Sequence, residues 1–266
     1  MSNKLRINVV IPIYKDKLDY FESLSLEQCF RLLSRYSISV IKPESLDISF
    51  IQQQYPNVLV ESFDDTFFNN GLHGYNKLML SSIFYERFLK YDYILIYQLD
   101  AWVFRDELEH WCEMNYDYIG APWVIKPKYN LLPLRLFIWL KSKYYKINGK
   151  ILEYERIGNK VGNGGFSLRK VQSFYQSTIK QQDKIAYYCE QSKVNKNFSF
   201  FNEDVFWALE NPDFRYPSYK KALQFSFDIR PELCMKLNKG AIPFGCHGWS
   251  KPLDTDFWKK IIPTEN

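Results

Sequence analysis

With 266 residues, 46% hydrophobic and 18% aromatic, the chain has enough apolar surface for a sizeable core, which excludes general disorder. Its 35 basic and 30 acidic residues leave a formal charge of +5, too small by itself to mark a nucleic-acid stripe and compatible with an anionic small ligand or an anionic surface. The five cysteines (Cys29, Cys112, Cys189, Cys234, Cys246) are scattered, odd in number and without C-x-x-C spacing, as expected of reduced thiols in a cytoplasmic protein.

The opening "MSNKLRINVVIPIYK" has a basic start, but its apolar run is too short for a signal peptide or a membrane span, so no translocation is expected. Ile7 to Tyr14 is β-branched and continuous and predicts a strand buried on both faces. An amphipathic helix is predicted from about Lys17 to Arg35, then a strand in "SISVIKP" ended by Pro43. A short helix, a strand in "PNVLVESF", a helix from about Leu72 to Leu89 and a fourth strand in "YDYILIYQL" follow. This alternation predicts a parallel, right-handed βαβ arrangement that collects ligands at the carboxyl ends of its strands. Neither G-x-G-x-x-G after the first strand nor a P-loop is present, so a phosphate ligand needs another device.

Beyond Phe104, "DELEHWCEM" predicts a short helix and "YDYIGAPWV" a strand running into a turn. Ile125 to Lys150 interleaves bulky apolar residues with lysines and Arg135. Two readings stand side by side: an insertion packed on the core with its lysines solvated, or an interfacial segment. In the second, Leu132, Leu134, Phe137, Ile138 and Trp139 dip into a bilayer while the cations face anionic headgroups. "KVGNGGFSLRKV" predicts a strand broken by a Gly-rich turn, followed by a helix from about Val171 to Cys189. "SFFNEDVFWALE" predicts a capped helix, and an aromatic tail ends in "IPFGCHGWSKPL". One domain is expected over 1–266, with the strand–helix alternation to about 104 and a carboxyl-terminal elaboration beyond it.

Five constellations could carry chemistry. Asp100, with Gln98 two residues before it, ends the fourth strand, where a hard cation holding a diphosphate needs oxygen ligands; a turn cap is the alternative. His247 sits between Gly245 and Gly248 in a loop, where an imidazole can approach an ion or simply occupy a turn. Asn76 and Lys77 fall in the first turns of the third long helix, where a cation and free amides suit a phosphate, although most helix-face lysines are merely solvated. Glu203 and Asp204 open a helix, either as macrodipole-compatible acids or as a base accepting a proton from a hydroxyl. Gly164 and Gly165 allow close approach of backbone to a ligand, or a bend without one.

In this order, "NKLMLSSIFYERF", "YDYILIYQLDAWVF", "YIGAPW", "GNGGFSLRKV", "NEDVFW" and "FGCHGW" resemble glycosyltransferases of the GT-A fold, and among them the bacterial domain of unknown function 5672. The resemblance covers about residues 5 to 250. It implies an α/β fold, a GT-A-like Rossmann-type mostly parallel central sheet flanked by helices, with a carboxyl-terminal acceptor-side elaboration. It implies a nucleotide-sugar donor, most often a UDP-sugar, over Pro12 and Tyr14. Lys77 and Asn76 would lie near the diphosphate, and Gly164 and Gly165 along the donor sugar. Asp100 and His247 would hold Mn²⁺ or Mg²⁺, and Gln98 stands where the first acid of a D-x-D motif is expected. Asp204, or Glu203 beside it, would be the base of an inverting transfer to a glycan or lipid-linked glycan in surface polysaccharide (capsule) synthesis. That setting implies a cytoplasmic protein, peripheral to the inner membrane face, with no nucleic-acid partner. The alternative is a non-catalytic nucleotide- or glycan-binding module whose metal site has degenerated.

Overall fold

The computed structural model describes residues 4–148, 152–194, 198–252 and 255–264. Residues 149 and 150, the end of the Ile125 to Lys150 segment, lie outside the described residues. Nine strands are present among the described residues: β1 (Ile7–Pro12), β2 (Ser37–Pro43), β3 (Leu59–Phe63), β4 (Tyr93–Tyr97), β5 (Ala101–Val103), β6 (Tyr118–Ile119), β7 (Phe166–Lys170), β8 (Ser226–Phe227) and β9 (Gly245–His247).

Six of them form a central sheet in the order β3-β2-β1-β4-β7-β6. The first four run parallel, as the βαβ alternation requires, whereas β7 runs antiparallel to both β4 and β6. Every residue of β1 and β4 is buried, which explains their continuous apolar runs. On one face Val9, Ile11, Leu95 and Tyr97 pack with Leu26, Cys29 and Leu33 of the Tyr20–Leu33 helix. That helix starts at a reciprocal capping box: Asp19 accepts from the Glu22 amide at 2.9 Å, and Glu22 accepts from the Asp19 amide at 2.8 Å. On the other face Val10, Ile94 and Ile96 meet Leu78, Phe84, Tyr85, Phe174 and Trp207. A third cluster, with Trp249, Trp258 and Phe227, fills the space under a small sheet in the order β5-β9-β8.

Three predicted elements differ. The Leu72 to Leu89 helix is two, Gly71–Met79 and Ser82–Glu86, because Ser81 leaves the helix and caps the second piece through its Oγ and the Phe84 amide. The Val171 to Cys189 helix likewise divides into Val171–Lys180 and Gln182–Val194. The helix of the Ile125 to Lys150 segment is not packed on the core as the insertion reading expected: Leu134–Ile147 buries only Ser142 fully and leaves Leu136, Phe137, Trp139, Leu140 and Ile147 more than half exposed. Leu134 and Ile138, expected to face a bilayer, are the half-buried inner positions instead. No helix among the described residues is long and apolar enough to cross a membrane.

Candidate active site

Backbone pairing brings Asp100 to His247. β4 ends at Tyr97, and the Gln98 amide donates to the Gly165 carbonyl at 2.8 Å. A tight turn, closed by the Ala101 amide on the Gln98 carbonyl, then starts β5, whose Ala101 lies opposite His247 in β9. The amides of Gly248 and Trp249 donate to the Asp100 carbonyl at 2.8 and 3.2 Å. Two segments about 150 residues apart are thereby locked together, and the side chains follow: Asp100 Oδ1 lies 3.0 Å from His247 Nε2. Gln98 Oε1 is 3.2 Å from the same nitrogen, and Lys251 Nζ is 3.1 Å from Asp100 Oδ2. On the other side of the ring, His247 Nδ1 lies 3.0 Å from Asp228 Oδ1.

The electrostatics follow from these distances. Burial opposes the charge on His247, but Asp100 and Asp228 on its two nitrogens outweigh it and raise the imidazole to about 9. Burial likewise acts against ionised Asp100, yet His247 and Lys251 hold it well below the usual carboxylate range. Asp228 fixes the ring's orientation, leaving Nε2 aimed at Asp100 and Gln98.

Asp100 Oδ1, Gln98 Oε1 and His247 Nε2 are the atoms that could hold a divalent cation, which would take the place of the proton on Nε2. Neighbouring ligands of an octahedral ion with bonds of about 2.1 Å stand ~3 Å apart, the spacing of Asp100 Oδ1 and of Gln98 Oε1 from Nε2. Only one of the three is anionic, so further oxygens, such as those of a diphosphate, would complete the shell. Consistent with this, no group of three or more His, Cys, Asp or Glu among the described residues could hold a metal by itself.

Beside the trio opens a cavity of about 490 Å³, within the usual range for ligand sites. Pro12 and Tyr14 at the end of β1, Gln98, Asp100, Lys15 and Lys251 all line it, as does Tyr75 from the Gly71–Met79 helix. Lys77 and Asn76 do not. Lys77 is in the last turn of that helix, not the first, and two positions from Tyr75 turn its side chain about 200° away. It is exposed, with Nζ 5.8 Å from the centre of the Phe67 ring. Asn76 is buried and structural: its Oδ1 accepts from the Glu203 amide at 3.2 Å and its Nδ2 donates to Asn202 at 3.0 Å. It thereby serves the first amide of the Glu203–Leu209 helix, where Asn202 at the cap position makes no side-chain cap bond of its own.

The glycine pair separates two environments. A Cβ on Gly165 would stand 2.1 Å from His247 Nε2 and 2.7 Å from Gln98 Oε1, whereas one on Gly164 would stand 1.9 Å from Glu203 Oε1. Asn163, at φ 71°, sets this turn: its Oδ1 accepts from the amides of Gly165 and Phe166. Behind Gly164, Glu203 Oε1 pairs with Arg169 Nη2 at 3.0 Å, both groups almost wholly withdrawn from water. Asp204 instead lines a second cavity, of about 360 Å³, with Trp123, Tyr129, Phe200, Asn202 and Arg230. Burial, then the charges of Glu203 and Asp228, push its carboxyl up to about 7.

Asp228, Lys251, Lys15, Tyr75 and Arg169 were absent from the sequence-based candidates. Lys251 was within reach, four residues after His247 in the same loop. Asp228 was not, because only the pairing of Phe227 with Cys246 carries it to the imidazole.

The architecture matches solved structures of GT-A glycosyltransferases. Galactosyltransferase LgtC in complex with donor and acceptor sugar analogues superposes with a TM-score of 0.54 at 12% identity, over 97% of this chain and 98% of that one. Mouse xyloside xylosyltransferase 1 gives 0.50 at 12% identity, over 91% and 96%. GlyE of Streptococcus pneumoniae gives 0.53 at 12% identity, over 97% of this chain and 61% of that one. No curated protein matches the chain. The profile described as protein of unknown function (DUF5672) matches residues 57–247, most of the chain, and the protein belongs to that family.

Proposed function

We propose that the protein is a glycosyltransferase that moves a sugar from a nucleotide-sugar donor, a UDP-sugar, to a glycan or lipid-linked glycan in surface polysaccharide synthesis. The observation that carries this reading is the meeting of Asp100, His247 and Gln98 at the carboxyl end of β4, with Asp100 and Gln98 on the wall of the 490 Å³ cavity. The GT-A fold supports the donor class. Mn²⁺ or Mg²⁺, bound by the trio, would offset charge on the donor's diphosphate.

The chain's own residues divide the remaining work. Pro12 and Tyr14 border the donor, and Lys251, already held by Asp100, reaches the diphosphate that departs. Asp204 in the second cavity accepts the proton of the acceptor hydroxyl, a task for which a carboxyl near 7 is well placed. The hydroxyl oxygen bonds to the anomeric carbon while the bond from that carbon to the phosphate oxygen breaks. The bonding pair leaves on the nucleoside diphosphate. Attack opposite the leaving group inverts the anomeric centre. Glu203, paired with Arg169 beneath Gly164, serves as the floor of the site, not as the base. The 1–104 half supplies most of the donor cavity, and the tail returns Ser250 and Lys251 to it.

Incubation with Mn²⁺ and a panel of nucleotide sugars, followed by proton NMR, tests this reading. Release of nucleoside diphosphate and a product of inverted anomeric configuration are expected. Asp204→Asn should lose transfer while keeping donor affinity; full transfer by that variant, or retention of configuration, would contradict the assignment of the base.

A further inference from the structure

The Leu134–Ile147 helix reverses the usual logic of a surface helix, which turns its apolar stripe inward. Its inner line is Leu134, Ile138, Ser142 and Tyr145, of which only Ser142 is fully buried. Ser142 Oγ donates to the carboxylate of Glu155, and Lys146 Nζ lies 3.4 Å from the other oxygen of that group. These polar contacts fix the helix from one side. The outer side carries Leu136, Phe137, Leu140, Tyr144 and Ile147, all more than half exposed. Five large apolar groups in water along ~20 Å of helix make an interaction surface, not scattered exposure.

Cations rim this stripe. Arg135, Lys141 and Lys143 lie on the same helix, and residues 125–150 contain no acidic residue. Lys143 Nζ is 5.6 Å from the centre of the Trp139 ring, and Lys141 Nζ is 5.5 Å from that of Tyr145. Long stems lying along aromatic rings suit cations that sit at headgroup level while the rings go deeper. The charge selects the occupant: a second copy of this face would bring like charges together, whereas an anionic bilayer complements the rim and accepts the stripe.

We propose that the outer face of the Leu134–Ile147 helix docks the protein onto an anionic lipid bilayer, lying in the interface without spanning it. This stands on the helix alone and does not depend on the transfer reading.

Vesicle flotation of the full chain tests it. With phosphatidylcholine vesicles containing about 30% phosphatidylglycerol at low salt the protein should float, with phosphatidylcholine alone it should not, and raised salt should release it. Leu140→Glu and Leu136→Glu, at exposed positions, should lower the bound fraction about ten-fold or more with an unchanged thermal melt. Lys141→Glu with Lys143→Glu should remove the preference for the anionic vesicles. Protein that ignores anionic vesicles at low salt would overturn the proposal, as would binding by Leu140→Glu equal to that of the unmodified chain. A dimer that Leu140→Glu converts to a monomer, with no vesicle binding, would also overturn it and assign the face to a second copy.

Discussion

Gly165 lies against the imidazole of His247 so closely that a single added methyl would stand 2.1 Å from Nε2. The turn and the ring are therefore one unit, and the imidazole keeps its place only while position 165 lacks a side chain. Gly165→Ala should displace His247 from Asp100 and Gln98, cost roughly 1–3 kcal/mol of stability, and weaken cation-dependent nucleotide binding more than cation-independent binding. Calorimetry on the variant, with and without Mn²⁺, would read this out.

Beneath Gly164, Arg169 and Glu203 form a buried ion pair. Arg169→Met would strand the Glu203 carboxylate beside Tyr85 and Trp207 and should destabilise the fold by about 3–5 kcal/mol. Adding Glu203→Met should recover most of that loss, since two apolar groups need no partner. Urea denaturation of the single and double variants measures the difference. An Arg169→Met protein as stable as the parent would mean that the pair holds nothing in place.

Asp204 gives the protein a pH signature. Its folded value of about 7 exceeds the value of 3.8 expected of a free carboxyl, so between these the folded chain binds more protons than the unfolded one. Its unfavourable contribution to stability therefore grows as pH rises from about 4 to about 7. Asp204→Asn should be close to neutral at pH 4 and stabilising by roughly 1–3 kcal/mol at pH 8. Transfer, which on the proposed role of Asp204 needs the ionised form, should rise as pH passes through about 7 and level off above about 8.

The cations at the cavity are open to a direct comparison. Lys251→Ala should lower donor affinity by about 1.5–3 kcal/mol, the usual worth of a hydrogen bond to a charged group. Lys77→Ala, at an exposed position turned from the cavity, should change it by no more than about 0.5 kcal/mol. The two affinities, measured by displacement of a fluorescent nucleotide, would exchange rank if Lys77 were the phosphate contact.

The legible parts were those that local pattern determines. β1 and β4 announce themselves because strands buried on both faces must be apolar throughout, and Asp100 stands where such a strand stops. The meeting of Asp100 with His247 could be expected, but its cause, the pairing of Ala101 with His247, is tertiary. Lys77 does not line the cavity because helix phase decides which face a residue occupies, and the helix begins at Gly71 after a separate turn over Thr66–Asn69. Asn76 looked like a ligand group because an Asn beside a Lys gives no hint of a helix 127 residues later that needs a cap. The Leu134–Ile147 stripe showed its amphipathicity in the sequence, but not the side it would turn outward.

The most direct test of the central claim is calorimetric titration of the protein with UDP-sugars in Mn²⁺ and again in EDTA, repeated on Asp100→Ala. Binding that needs the cation, and that Asp100→Ala weakens by a few kcal/mol, is the expected result. Nucleotide affinity indifferent to both EDTA and Asp100→Ala would contradict it and leave a binding module in place of a metal-assisted transferase.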